Sequence, residues 1–285
     1  MNYRHDFHAG NFADVFKHIL LTRVLIHLAQ KPKPYRVIDT HAGSSLYDLT
    51  DERAEKTGEW RSGIARLLAT DVAADFGDET AALLEPYLAI VTPLIEGNPP
   101  LYPGSPFIAL RLMRPDDKLQ CCELEPAAAE RLKANCGKDK RFRLAELDAY
   151  VGLRAFIPPA ERRGLVLIDP PFERPDEFEA LGPAVFEAWR KWTTGIFFIW
   201  YPVKDPRRVD RFFAGLCEKG VKRLLRLELQ IAASIPDGPL ARTGLAIINP
   251  PFGFDAQAER LLPALASPLS NRQSGSYVVE WKSGE

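Results

Sequence analysis

No stretch of this chain approaches the roughly 20 consecutive apolar residues that a membrane-spanning helix needs. The opening residues, MNYRHDFHAG, lack the apolar core of a secretory signal. Cysteine is scarce: Cys121, Cys122, Cys136 and Cys217, two of them adjacent and none in a CxxC pair. That argues against a disulfide scaffold and for reduced thiols in a cytoplasmic protein. Net charge is nearly absent at −1, which argues against a protein that coats nucleic acid indiscriminately. Internal repeats and low-complexity segments are missing too. What is present is 46% hydrophobic and 26% charged residues over 285 positions. That suits one large α/β domain, or such a domain with an insertion.

The charges that do cluster are basic: Lys138, Lys140, Arg141 and Arg143; Arg207, Arg208 and Arg211; and Lys219, Lys222, Arg223 and Arg226. Each reads either as an ordinary solvated face or as a local nucleic-acid contact. All five histidines fall within the first 41 residues.

Apolar spacing predicts a helix over 11–30, with Asn11 as its cap and the KPKP run at 31–34 as its stop. A buried strand at 35–43 runs into a glycine turn. Residues 44–104 break the pattern and read as a helical insertion ending in a Pro/Gly-rich exit. Strands are then expected near 119–124, 141–147, 165–172, 195–203, 222–231 and 244–252, with a last one near 276–281. Helices fall between them, after Ser105, from Pro126, and near 176–192, 205–219 and 255–266. Strand and helix in alternation, with near-continuous apolar strands, predict a doubly wound, mostly parallel sheet. Ligands in such sheets sit beyond the carboxyl ends of strands, near the switch in strand order. Asp39, Glu123, Asp148 and Asp169 all stand at strand ends.

Four motifs follow from that placement. Asp39-Thr-His-Ala-Gly43 is an acid followed by a small-residue turn, suited either to close approach of a nucleoside or to an ordinary tight turn. Glu123 ends the next core strand, where a carboxylate can hold a ribose diol. Asp148 ends the third and reads equally as an adenine contact or a helix N-cap. Asp169-Pro170-Pro171-Phe172 is the most specific. An exocyclic amino group on a nucleobase is a poor nucleophile because its lone pair is delocalised into the ring. A carboxylate on Asp169 and the Pro170 carbonyl, both accepting from the NH2, localise that lone pair, and the prolines hold the acceptors in place. Phe172 offers a face for a base drawn out of its stack. A second copy, Asn249-Pro250-Pro251-Phe252, comes too late in strand order and reads as a strand terminus. The N-terminal run with Tyr3, Arg4, His5, His8, Lys17 and His18 suits an arm that closes over RNA. No acid or cysteine set at metal spacing accompanies its histidines, so no metal is expected.

Together these segments resemble the bacterial 23S ribosomal RNA adenine-N6 methyltransferase J family. The resemblance rests on YRHDFHAGNFADVFKH at 3–18, DTHAG at 39–43, ERAEKTGE at 52–59, YPGSP at 102–106, RRGLVLIDPP at 162–171, WYPV at 200–203 and IINPP at 247–251. It implies a Rossmann-like class I S-adenosylmethionine-dependent methyltransferase. Its sheet would be mostly parallel and seven-stranded, with a small helical insertion after the first strand. The division would be 1–43, 44–104 (the insertion) and 105–285. It implies methylation of N6 of adenine 2030 in protein-free 23S rRNA by a cytoplasmic monomer with no obligate protein partner and no membrane. Carried over, the cofactor contacts are His18, His41, Ser105, Glu123, Asp148, Ala149 and Asp169. The catalytic set is Asp169, Pro170 and Phe172, and the RNA contacts are Tyr3, His5 and Lys17. The chain departs from the family pattern at Phe172, where tyrosine is usual, at Ser44 and Ser45 after the glycine turn, and at Ala149, where glycine is typical. A DNA amino methyltransferase and an inactive nucleic-acid-binding scaffold are the competing readings; no target-recognition domain supports the first, and intact Asp169 and Glu123 argue against the second.

Overall fold

A computed structural model describes residues 5–235, 238–270 and 275–284. After a 3-10 turn at His5–Phe7, helix α1 (Phe12–Ala29) begins on Asn11, whose Oδ1 accepts the Ala13 and Asp14 N–H groups. This satisfies two of the free donors of the first turn. Strand β1 (Arg36–Asp39) follows, then a short β2 (Leu46–Asp48). Five helices come next: α2 (Glu52–Thr57), α3 (Glu59–Ser62), α4 (Ile64–Leu68), α5 (Val72–Phe76) and α6 (Asp78–Ile95). Strand β3 (Leu101–Pro103) returns antiparallel to β2, pairing Leu46 with Pro103.

The remainder alternates strictly at first. It runs α7 (Ser105–Leu112), β4 (Lys118–Cys122), α8 (Pro126–Cys136), β5 (Phe142–Ala145), α9 (Ala149–Phe156) and β6 (Gly164–Ile168). Then come α10 (Glu177–Lys191), β7 (Ile196–Pro202), α11 (Pro206–Glu218), β8 (Leu224–Gln230), β9 (Arg242–Ile248), α12 (Phe254–Leu269) and β10 (Ser276–Ser283).

The main sheet has the order β10-β8-β9-β7-β6-β1-β4-β5. It has eight strands: the seven implied by the resemblance, and β10, the last strand expected near 276–281, which closes the edge beside β8. From β7 to β5 every pairing is parallel. Strand β9 runs antiparallel to both β7 and β8, as the direct β8–β9 hairpin requires.

Helices cover both faces, so the central strands β1, β6 and β7 bury apolar side chains on both. Val37, Leu165 and Leu167 face the layer of α1, α7 and α12, while Ile38, Val166 and Ile168 face α9, α10 and α11. Each such side chain taken out of water stabilises the fold by about 1.5–3 kcal/mol. Gly164 starts β6 where it passes so close to β1 that a Cβ would stand 1.8 Å from the Arg36 carbonyl oxygen. Any side chain there would force the two central strands apart. Because the chain leaves β1 for β4 on one side and returns to β6 on the other, the crevice opens at the carboxyl ends of β1 and β6.

Candidate active site

A cavity of about 960 Å³ lies over those strand ends. Its walls include His5, Lys17, His18, His41, Ser105, Glu123, Asp148, Ala149, Asp169, Pro170 and Phe172, so residues spread over 168 positions of sequence meet in one place. Tyr3 lies outside the described residues.

The turn after β1 forms one wall. Gly43 has φ +62, and a Cβ on it would meet the Tyr47 hydroxyl at 2.2 Å. Its N–H donates to Glu123 Oε2 at 2.8 Å, and the Glu125 N–H donates to Oε1 at 2.8 Å. Glu123 therefore ties two strand-end turns together, and each of its oxygens keeps a further lone pair. Asp39 is sunk beneath this wall, 1% exposed, and is not part of the lining. Burial pushes its carboxyl up to about 7, against the Ser105 hydroxyl that donates to it at 2.6 Å. Asp148 caps α9: its Oδ1 accepts the Tyr150 and Val151 N–H groups while the residue also lines the cavity. The N-cap reading of that residue thus holds.

His41 bridges to the opposite wall. The Asp169 N–H donates to His41 Nδ1 at 3.2 Å, which puts the imidazole proton on Nε2. The Thr40 hydroxyl, 2.9 Å from the same nitrogen, also reaches the Leu167 carbonyl at 3.0 Å and can spend its proton there. Burial holds His41 down at about 4, so the ring is neutral near pH 7.

The Asp169 carboxylate does not stand alone. Lys17 Nζ donates to its Oδ2 at 2.5 Å and sits 3.0 Å from Asp14 Oδ1. Burial opposes the ammonium, but the Asp169 and Asp14 charges outweigh it and raise the Lys17 pKa above its usual value. Asp14 in turn accepts from His5 Nε2 at 2.8 Å and from the Gly10 N–H at 3.1 Å. Burial disfavours its charge too, yet His5 and Lys17 hold its carboxyl well below the usual range. His18, one residue on, is buried and held at about 3 by burial. Its Nδ1 lies 3.0 Å from the Tyr102 hydroxyl, which meets the Tyr87 hydroxyl of α6 at 3.1 Å.

The expected place of Lys17 on an RNA-facing strip is corrected here. It lies inside α1, only 4% exposed, with its charge spent on two carboxylates, so it stands beside the Asp169 carboxylate. Asp14 was missed by the sequence reading. Its signal was an acid three residues before a lysine in a helix buried on nearly every side.

Phe172 has φ +49 and packs edge-on against Phe178 at 4.8 Å and Trp200 at 5.9 Å. The expected single aromatic face is thus one member of a three-ring wall, all three rings lining the cavity. Trp200 is fixed from behind by its Nε1 donating to Thr243 Oγ1 at 2.7 Å. The second Pro-Pro-Phe copy is remote. Strand β9 runs antiparallel, and Ile248 at its end pairs with Phe197 at the start of β7, so Asn249 emerges at the opposite end of the sheet. Its Nδ2 donates to the Thr193 and Gly195 carbonyls there.

The volume falls within the range of about 300–1,000 Å³ typical of small-molecule sites. A carboxylate with unspent lone pairs at a glycine turn, facing a second carboxylate across the crevice, fits an adenosyl group with a cationic sulfur.

Comparison with known proteins agrees in kind. Residues 32–283 match the family model described as Ribosomal RNA large subunit methyltransferase D, RlmJ. The chain is 37% identical to the Ribosomal RNA large subunit methyltransferase J of Escherichia coli K12, over 99% of this chain and 98% of that one. It is 37% identical to the enzyme of the same name from Haemophilus influenzae, over the same shares. A solved Legionella pneumophila protein superposes with a TM-score of 0.86 at 33% identity, covering 96% of this chain and 98% of that one. A near full-length match at this identity, on a fold with this cavity, leaves one conclusion: the chain belongs to the ribosomal RNA large subunit methyltransferase J family.

Proposed function

We propose that this S-adenosylmethionine-dependent rRNA methyltransferase performs its transfer in the cavity over β1 and β6, and that N6 of adenine 2030 in protein-free 23S rRNA is its target. The pairing of Asp169 with Lys17, beside a rigid Pro-Pro turn and three aromatic rings, is the observation that carries this reading. The substrate class of the family weighs against a DNA amino methyltransferase.

In this reading Glu123, His41, Ser105, Asp148, Ala149 and His18 hold the cofactor's side of the cavity, Glu123 through its unspent lone pairs to the ribose hydroxyls. The cofactor, when bound, supplies a methyl group on a positively charged sulfur. Asp169 Oδ1 and the Pro170 carbonyl each accept a hydrogen bond from the N6 amino group and turn the nitrogen lone pair out of the ring plane. Lys17 fixes Oδ2, so the carboxylate cannot rotate away when a base arrives. The aminium formed at N6 is a strong acid, and Oδ1 stands ready to take its proton. Phe172, Phe178 and Trp200 grip the flipped adenine. Tyr3 and His5 belong to the arm that meets the RNA. The protein acts as a cytoplasmic monomer, with residues 44–104 as the insertion and 1–43 with 105–285 as the catalytic domain.

The test is methyl transfer from labelled S-adenosylmethionine to 23S rRNA stripped of protein and lacking its own modification, followed by nucleoside mapping. N6-methyladenosine at the one site supports the reading. Transfer only to intact ribosomal particles, to another nucleotide or to DNA overturns it.

A further inference from the structure

A second depression, about 270 Å³, lies between α10 and α11. Its floor is apolar, from Phe178, Phe212 and Leu216, and it is left open by Gly182 and Gly215, neither of which would place a Cβ within 3.4 Å of another atom. Its edge is basic. Arg208, Arg211 and Lys219 line it, with Glu179 as the one acid among the described lining residues. Arg207 and Lys204 stand exposed beside it.

Three observations characterise the cations along α11. First, among the described residues Lys204, Arg207, Arg211 and Lys219 make no ion pair, a property they share with Lys138, Lys140 and Arg143; the nearby Asp210 is taken by Arg226 and Asp205 caps α11. Exposed cations outside ion pairs are what a polyanion uses; Lys219 also lies over the Phe186 ring at 5.2 Å. Second, the groove is continuous with the active site. Arg208 and Phe178 line both depressions, and the Arg208 guanidinium donates to the Pro175 carbonyl, just beyond Phe172. Lys204 and Arg174 line the larger cavity beside Arg208. Third, α11 leaves from the cavity end of the sheet, so Arg208 to Lys219 spans about 16 Å of helix leading away from that mouth. The Lys138, Lys140 and Arg143 cluster instead flanks the start of β5, at the sheet end opposite the cavity.

We infer that the α10–α11 groove carries the phosphodiester backbone of the RNA strand that leads to the target base. The cations along α11 contact successive phosphates, and the open Gly182 and Gly215 floor lets the strand lie close to the helices. This rests on the proposed rRNA reading of the cavity, and the experiment separates the two. Phosphate contacts give affinity without sequence preference, so variants here weaken RNA binding at low and moderate salt and leave the base chosen unchanged.

The full-length protein is titrated with fluorescent single-stranded RNA over a range of salt, and methyl transfer to protein-free 23S rRNA is followed in parallel. Arg207→Gln/Arg211→Gln/Lys219→Gln is expected to lower the slope of log K against log salt by about 2, from about 0.7 per lost phosphate contact. It should raise KM for RNA at least tenfold and leave cofactor affinity and the methylated position unchanged. Lys138→Gln/Lys140→Gln/Arg143→Gln removes the same charge elsewhere and is expected to change neither slope nor KM. Gly215→Glu offers a variant that keeps the helix, since nearly any residue exceeds glycine there. It should weaken RNA binding by placing a carboxylate in the groove. An unchanged slope and KM in the α11 triple variant, or equal losses in both triple variants, overturns the groove. Absence of transfer to 23S rRNA by the parent protein, with the slopes still different, overturns the functional reading alone.

Discussion

Ser105 Oγ donates to Asp39 Oδ2 at 2.6 Å, joining the first residue of α7 to the last residue of β1 across the whole helical excursion between them. The bond is made to a carboxyl that burial pushes up to about 7. A raised carboxyl binds its proton in the fold at pH values where the unfolded chain has lost it. Its contribution therefore favours folding below about pH 4 and fades as pH rises through 7. His18 and His41, held at about 3 and about 4, work the other way. The unfolded chain takes up their protons first, so their contribution is present above pH 6.5 and is lost as pH falls toward 4. Asp39→Asn is expected to raise Tm at pH 8, by up to about 4 kcal/mol of stability. It should also make the fall in Tm between pH 6.5 and pH 4 steeper, because the histidine term is then unopposed. Parallel Tm-against-pH curves for the two proteins would contradict the assignment.

Lys17 and Asp169 act as one unit, so their variants should not add. Lys17→Met leaves the buried Asp14 to His5 and the Gly10 N–H, removes the ion pair of the part-buried Asp169, and is expected to cost about 3 kcal/mol of stability. It should reduce kcat at least 100-fold. Asp169→Asn keeps the shape of the site and is expected to reduce kcat at least as much. The double variant should be no slower than the worse single one. Denaturant titration and single-turnover rates check both halves. Multiplying losses would mean that the lysine acts independently of the carboxylate.

Glu123 holds two turns and, in the proposed reading, the cofactor's ribose. Glu123→Gln retains a carbonyl but loses the charge, and its expected effect is a 10- to 100-fold rise in cofactor Kd by calorimetry, from charge-assisted hydrogen bonds of about 1.5–3 kcal/mol. RNA affinity should be unchanged. A cofactor Kd within twofold of the parent value would remove Glu123 from the binding set.

Phe172 is held edge-on by Phe178 and Trp200. Phe172→Tyr is expected to stay within about threefold of parental activity, since the ring is retained. Phe172→Ala should raise KM for RNA about tenfold or more, in line with stacking of about 1–3 kcal/mol per base, without altering cofactor Kd. Equal losses of RNA and cofactor binding would show that the ring only supports the cavity wall.

Strand ends were legible because each buried strand is a short apolar run stopped by an acid or a proline: Asp39, Glu123, Asp148 and Asp169 were found this way. Helix α1 was legible from its cap and its proline stop. The β2–β3 pair was not, since each strand has only three residues and its partner is more than 50 positions away. The Lys17–Asp169 pair was hidden for a similar reason: the residues are 152 apart in sequence, and nothing local to Lys17 distinguishes a buried ammonium from a surface one. The reversed direction of β9 was implicit in the short connection from β8, and it separates two near-identical Pro-Pro-Phe turns by the height of the sheet.

Leu84, Tyr87 and Val91 of α6 share one apolar cluster with Val37 of β1 and Phe16 of α1. The helical excursion thus has no private core from which to fold by itself. Its amides should exchange with the same opening free energy as those of the central strands, and heating should give one calorimetric transition. A ligand that tightens the turn after β1 would then slow exchange in α6 as well, making that distant helix a reporter of what occupies the cavity.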